Sequence, residues 1–321
     1  MLMHEFNIIR KYLSKLSINN KNSLNLNDDV FFDKSKKLVI SIDTYINKFH
    51  FYDFRKPDLV IKKILRSSLS DLICKGVVPK YYFISGSGNK KTFTKSNLSK
   101  VSQSLKQEQK KFGIYLSGGD TVFSNTLSFT IISVGFSNKI IFRNKAKLND
   151  DIYVTGNLGD SYTGLKILKK KISLNRSLSR YFFTKYYHPE LHINLPKKLF
   201  NFANTSIDIS DGLFADLEKL INKQKLSYKI NLTDVPISKK LKDMILQKKL
   251  KKIDFISKGD DYQVLFTASK KKARIIERTS KSLGIKISKI GKICSSNQKS
   301  QIIDEKGDKI NIRNKGYFHK F

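Results

Sequence analysis

The chain has 321 residues, 40% of them hydrophobic, and a formal net charge of +35 from 62 Lys and Arg against 27 Asp and Glu. That length buries a sizeable core and favours two α/β domains. The opening MLMHEFNIIRKYL carries Glu5 and lacks the apolar stretch of a secretory signal, and no later run approaches the ~18 apolar residues of a membrane span, so a cytoplasmic chain with no membrane partner is expected. Cys74 and Cys294 have neither zinc spacing nor a disulfide-framework count. A charge this high would imply nucleic acid if the lysines gathered on one face. They are instead spread along the whole chain beside abundant Asn, Ile, Phe and Tyr, so nucleic acid is not expected. The positive field still favours encounter with phosphorylated small molecules.

Apolar periodicity predicts a buried strand over 39–42, then a helix over 58–74 that places Val60, Ile64, Leu65, Leu69, Leu72 and Ile73 along one face. A strand over 81–85, a helix over 97–112 with Leu98, Val101 and Leu105 inward, a short apolar run at 114–116 and a strand over 129–136 follow. The polar segment 144–151 (NKAKLNDD) marks a domain boundary, dividing the chain into 1–143 and 144–321. Beyond it come a strand over 152–155, a glycine turn and a helix through Leu165 and Leu168. Strands over 206–209, 228–232, 263–266 and 285–293 then alternate with helices over 213–223 and 270–283, as in α/β layering. The lysine runs 169–171 and 270–272 read as solvated helix ends.

Acids are scarce, which makes their placement informative. They sit at strand ends or in tight turns: Asn27-Asp28-Asp29, Ser41-Ile42-Asp43-Thr44, Ser70-Asp71, Gly118-Gly119-Asp120-Thr121, Asp208-Ile209-Ser210-Asp211-Gly212 and Gly259-Asp260-Asp261-Tyr262. Each alone has an ordinary explanation as a turn or helix cap. Together they suit a polyphosphate site, because Mg²⁺ takes hard oxygen ligands and bridges carboxylates to phosphate oxygens. Strand alternation points Asp208 and Ser210 the same way, and Gly118 and Gly119 let the backbone approach a phosphate. No G-x-x-x-x-G-K-[ST] loop and no protein-kinase signature occurs, and the turn Gly156-Asn157-Leu158-Gly159-Asp160 is weak evidence for a nucleotide loop. His188 and His192 lack a third ligand at zinc spacing.

In order, D-D, S-x-D-T, L-S-D, G-G-D-T, R-x-x-A-K, Y-V-T-G-x-x-G-D-S-x-x-G-L, I-D-x-S-D-G-L, G-x-D-Y and a final K-G-Y-x-H-x-F span Glu5 to Phe321. The set resembles the thiamine-monophosphate kinase family, within a superfamily that includes aminoimidazole ribonucleotide synthetase, selenophosphate synthetase and a hydrogenase maturation protein. The resemblance implies a two-domain α/β (α+β) fold of the aminoimidazole ribonucleotide synthetase type. Its first domain would bind ATP and metal and pair with a second copy in a homodimer. It further implies direct transfer of the γ-phosphoryl of ATP to thiamine monophosphate, giving thiamine diphosphate, with several Mg²⁺ ions per site.

Carried over by position, Asp29, Ser41, Asp43, Asp71, Asp120, Asp208 and Asp211 would be metal ligands, with Ile42 able to supply a main-chain carbonyl. Gly119, Asp120, Arg143 and Ser210 would contact the nucleotide, and His50, Asp260 and Tyr317 the thiamine phosphate. No catalytic base is expected, since the accepting phosphate is already anionic. The chain departs from the family pattern at Asn27, Ile42, Lys258, Asp260 and Asn314, and it has no Trp. A selenophosphate synthetase would carry a reactive Cys near its N-terminus, and none precedes Cys74. Another ATP-dependent member of the superfamily and a basic nucleic-acid-binding protein are the competing readings.

Overall fold

The computed structural model describes residues 5–311 together with Gly316 and Tyr317. Two mixed β-sheets divide these residues. The first has order β1-β2-β5-β3-β4, from β1 (Phe31–Asp33), β2 (Leu38–Ile46), β3 (Pro79–Gly88), β4 (Tyr115–Phe123) and β5 (Ser128–Phe136). All its pairings are antiparallel except β3 with the edge strand β4. One face is covered by α1 (Pro57–Cys74) and α2 (Lys95–Phe112).

Both helices have local reasons to form. In α1, Pro57 occupies the first turn, where no hydrogen bond is lost, and Val60, Ile61, Ile64, Leu65 and Leu69 recur at helical spacing and are all buried. In α2, the Thr94 side chain accepts from the backbone N–H of Asn97, and Gly113 closes the helix at φ 64°, a left-handed conformation that glycine adopts without strain.

The second sheet has order β12-β11-β8-β10-β6-β9-β7, from β6 (Asp151–Thr155), β7 (Thr205–Asp208), β8 (Leu226–Asn231), β9 (Val264–Ala268), β10 (Ile287–Ser295), β11 (Gln301–Ile303) and β12 (Lys309–Ile310). Every residue of β6, β7 and β9 is buried, including the polar Asp151, Thr155, Thr205, Ser206 and Asp208. Around the sheet lie α3 (Asp160–Leu168), α4 (Arg176–Tyr187), α5 (Leu213–Leu220), α6 (Lys239–Gln247) and α7 (Ala273–Leu283).

The predicted strands and helices are present with shifted ends. A 3-10 turn at Lys270–Lys272 precedes α7, so the predicted helix over 270–283 is two elements. Periodicity did not reveal α4, α6, β1 or the extent of β4. Helix α4 buries little beyond Phe182, Tyr186 and Tyr187, and β4 is exposed along its whole length and so has no apolar alternation to read. Among the described residues, no helix is long and apolar enough to cross a membrane.

Helix α1 also touches the second sheet. Lys75, at its C-terminal end, donates to the Ser206 carbonyl at 3.0 Å, and the Ser206 hydroxyl donates to the Cys74 carbonyl. The helix is therefore buried on one side by the first sheet and on the other by β7. Lys63, Ser70 and Lys75 reach across that second junction, while Arg66, Ser68 and Asp71 find partners on the first sheet and its second helix.

Candidate active site

The inner face of β2 builds one wall of the site. Alternation points Val39, Ser41, Asp43 and Tyr45 toward α1, while Ile42 and Thr44 face outward and are exposed. Ser41 Oγ donates to Asp71 Oδ2 at 2.5 Å, and the Tyr45 hydroxyl donates to Asp43 Oδ2 at 3.3 Å. Asp71 and Ser68 lie beside Asp43 and ease its ionisation against burial. One helical position before Asp71, Ser70 Oγ donates to Asp208 Oδ2 at 2.5 Å, which draws in the end of β7. Asp43, Asp71 and Asp208 thus converge from three elements. Burial first, then neighbouring carboxylates, raises all three: Asp43 to about 6, Asp208 to about 8 and Asp71 well above the carboxylate range.

Asp29 behaves in the opposite way, although it adds to the repulsion on Asp208 and Asp71. Burial opposes its ionisation, but Arg143 and Lys75 overrule that effect and hold it far below its ordinary value. Lys75 Nζ lies 2.7 Å from Asp28 Oδ1 and 2.9 Å from Asp29 Oδ2, and Arg143 Nη1 lies 3.5 Å from Asp29 Oδ1. The Arg143 backbone N–H donates to Asp28 Oδ2 at 3.0 Å. Asn27 adopts φ −121°, which any residue tolerates, so the missing glycine there costs no strain. Asp211 is held by Lys219, which also reaches Asp216 Oδ1 at 3.0 Å.

The third wall is the loop before β9. Asp260 donates its backbone N–H to the Ser210 carbonyl at 2.9 Å, and Tyr262 donates its own to Ile209 at 2.8 Å, so the loop is strapped beside Asp208 and Asp211. A Cβ on Gly259 would overlap the Ser210 carbonyl oxygen, so only glycine fits. Asp260 and Tyr262 have φ of 73° and 52°, a left-handed conformation that costs a non-glycine residue energy. The Tyr317 backbone N–H donates to the Asp211 carbonyl at 3.0 Å, and its phenol lies close enough to Asp211 and Asp260 for their charges to oppose its ionisation after burial has done so. The predicted Lys315 and His319, and the Asn314 departure, lie outside the described residues. His50 closes the β2 turn, its Nδ1 accepting from the Ile46 N–H at 2.9 Å and its ring packing edge-on against Tyr45. That acceptor role puts the ring proton on Nε2.

Gly119 and Asp120 stand apart from this cluster within one chain. Through the register Asp120↔Ser85↔Thr130↔Thr44, Asp120 lies three strands from β2, or roughly 14 Å at ~4.8 Å per strand. It also lies on the outer face with Thr44, whereas Asp43 faces inward. Gly119 is needed because a Cβ there would overlap the Ile84 carbonyl. The turn at 156–160 is occupied by the protein itself: Asp261 Oδ2 accepts the Gly159 N–H at 2.8 Å, so this loop is a structural clasp for the strand that follows.

Sequence reasoning missed Lys63, Lys75 and Lys219, because one lysine among so many gives no signal, and it missed Ser67 and Ser68, which carry no motif. Among the described residues, no three His, Cys, Asp or Glu close round one point as a preformed metal centre. The oxygens of Asp43, Asp71 and Asp208 nevertheless fit Mg²⁺, which completes its shell with water and phosphate oxygens, and a cation would relieve their repulsion.

Residues 27–137 match the family model described as AIR synthase related protein, N-terminal domain. The chain is 33% identical to the thiamine-monophosphate kinase of Buchnera aphidicola subsp. Acyrthosiphon pisum, with 98% of each chain covered. It is 32% identical to that of Haemophilus influenzae, covering 91% of this chain and 90% of the relative. Among solved structures it is similar to AaThiL complexed with AMPPCP and TMP, at a TM-score of 0.84 and 25% identity, covering 98% of this chain and 97% of that one.

Proposed function

The chain belongs to the thiamine-monophosphate kinase family, and from that membership we infer that it transfers the γ-phosphoryl of ATP to the phosphate of thiamine monophosphate, yielding thiamine diphosphate and ADP. The observation that carries this is identity of 33% along 98% of the chain, across both sheets and all three walls of the site. The residues supply positioning and charge, which is what an in-line phosphoryl transfer through a loose transition state requires.

Asp43, Asp71 and Asp208, with Ser41, Asp29, Asp211 and the Ile42 carbonyl around them, would hold Mg²⁺. Mg²⁺, when bound, supplies neutralisation between two anions brought together for reaction. Arg143 and Ser210 face the nucleotide in this reading, and Arg143 with Lys75 keeps Asp29 ionised. Asp260, His50 and Tyr317 form the acceptor side. The acceptor phosphate is anionic near neutral pH, so no side chain takes a proton from it.

The reading divides the chain at 143/144 into an N-terminal ATP- and metal-binding domain and a C-terminal domain that completes the site, in a cytoplasmic enzyme. It also makes the enzyme a homodimer. In support, the outer face of the first sheet exposes Ile42, Tyr81 and Phe136, and β4 exposes Tyr115, Leu116, Val122 and Phe123 on an edge strand. Such a face and edge call for a partner. A contact between Gly119 or Asp120 and nucleotide lying beside Asp43 then requires these residues to come from the second copy. Purified protein incubated with ATP, Mg²⁺ and thiamine monophosphate should form thiamine diphosphate and ADP in equal amounts; ATP hydrolysis without thiamine diphosphate would refute the assignment.

A further inference from the structure

Lys63 is an anomaly in α1. It sits between Val60 and Ile64 on a helix packed on both sides, and its side chain is only 1% exposed. A lysine so deeply buried must find an anion or lose its charge. Its Nζ reaches Asp260 Oδ1 at 2.7 Å, crossing from the first sheet's helix to the loop before β9. The ammonium lies 4.2 Å from the Tyr186 ring centroid and 5.4 Å from that of Tyr262, within cation–π range of both. The Tyr262 hydroxyl donates to the same Asp260 oxygen at 3.1 Å. Two donors therefore hold Oδ1, while the Asp260 side chain as a whole remains 24% exposed.

The backbone beneath this carboxylate is strained, with Asp260 at φ 73°. An aspartate is one methylene shorter than a glutamate, so its reach depends on where the loop holds it. The carboxylate is fixed from behind by a charge rooted in the opposite half of the molecule. Its backbone bond to Ser210 sets the loop and leaves the carboxyl torsion open.

We propose that Lys63 is a positioning residue for acceptor recognition, pinning one oxygen of Asp260 so that the carboxylate presents its other oxygen to the thiamine phosphate. This rests on the reading of Asp260 as an acceptor contact. Lys63 touches neither substrate, and its effect passes through Asp260 alone. It also ties acceptor recognition to correct seating of α1 against the second sheet, since α1 carries Asp71 and Ser70 of the carboxylate cluster on the same helix.

The test is a double-mutant cycle read in KM for thiamine monophosphate, with ATP affinity measured separately in the absence of acceptor. Lys63→Met keeps the stem and removes the charge, and Asp260→Asn keeps the shape and removes the anion. Each single variant should raise KM on the order of tenfold with ATP affinity unchanged, as expected for one charge-assisted bond. In the Asp260→Asn background, adding Lys63→Met should raise KM no further. If Asp260→Asn raises KM and Lys63→Met does not, the Lys63 role is overturned while the acceptor reading stands. If neither does, the acceptor reading itself is wrong. Should Lys63→Met fail to fold, the double variant, which leaves no buried charge unpaired, is compared with Asp260→Asn. Equal KM values then support the proposal, and a further rise overturns it.

Discussion

Asp43 and Asp208 are raised to about 6 and about 8 by burial and by each other's neighbours. A carboxyl whose folded-state pKa exceeds its unfolded value takes up a proton on folding. Its favourable contribution is whole below about pH 4 and is lost as pH rises through about 6 and then about 8. Asp29, depressed by Arg143 and Lys75, contributes in the other sense and is lost only in strong acid. Metal-free protein should therefore lose stability between pH 5 and 8, and Mg²⁺ should raise Tm more at pH 8 than at pH 5. Asp216 and Asp261 are raised too, but they contact Lys219 and Gly159, so the magnesium-dependent difference isolates the cluster. An equal magnesium shift at both pH values would remove the cation from this site. Asp43→Asn should lower turnover on the order of a hundredfold or more while raising metal-free Tm at pH 8 by a few degrees, because it relieves repulsion that serves only the bound state. His50→Ala should raise KM for thiamine monophosphate on the order of tenfold and leave ATP binding unchanged; a defect confined to ATP would place His50 elsewhere. These aspartates were legible because acids are rare in this chain and fall in short motifs beside apolar runs, although only Asp208 ends a strand while Asp43 lies within β2 and Asp71 within α1. The cations that set their charge states were not, since 62 Lys and Arg make any one of them unremarkable on paper.

Helix α1 holds the site together at the level of elements. Its first-sheet face is apolar and was readable from periodicity, whereas its other side carries Lys63, Ser67, Ser70 and Lys75, of which only Ser70 stood out in the sequence. The structure buries that side against β7 and the loop before β9, so each polar group there has a partner. Periodicity reports which face is apolar and is silent on whether a polar face meets water or protein. Lys75→Met should therefore destabilise the fold by about 3 kcal/mol, measured by urea denaturation, because it strands Asp28 and part of Asp29 in the interior. Arg143 still faces Asp29 and limits the loss. A change below about 0.5 kcal/mol, the scale of an exposed pair, would show that the lysine is solvated in solution. Strand β4 gives the converse lesson: a strand with no buried face and two adjacent glycines has no pattern for sequence reasoning to find.

The described residues form two sheets, and the first leaves its outer face open. In one chain Asp120 and Asp43 lie on opposite faces of that sheet and three strands apart. The G-G-D-T and S-x-D-T motifs were both visible in the sequence, but nothing in their order says that the fold holds them three strands apart on opposite faces of one sheet. Only strand order and the inward or outward sense of each residue do. If a homodimer places Asp120 of one copy against the nucleotide held beside Asp43 of the other, each site draws one motif from each chain. Asp43→Ala and Asp120→Ala homodimers should then both be inactive. In a mixed dimer, one site carries both substitutions and the other carries neither. Unfolding and refolding equal amounts together makes half the dimers mixed, each with one intact site, so activity should return to about a quarter of the wild-type value. Refolding each variant alone controls for damage. Light scattering should give a dimer mass for all three preparations, and a monomer would end the argument. Recovery of no activity from a verified mixed dimer would mean that both aspartates serve the same chain's site, and that the path of Asp120 to the nucleotide runs round the sheet edge and not across the interface.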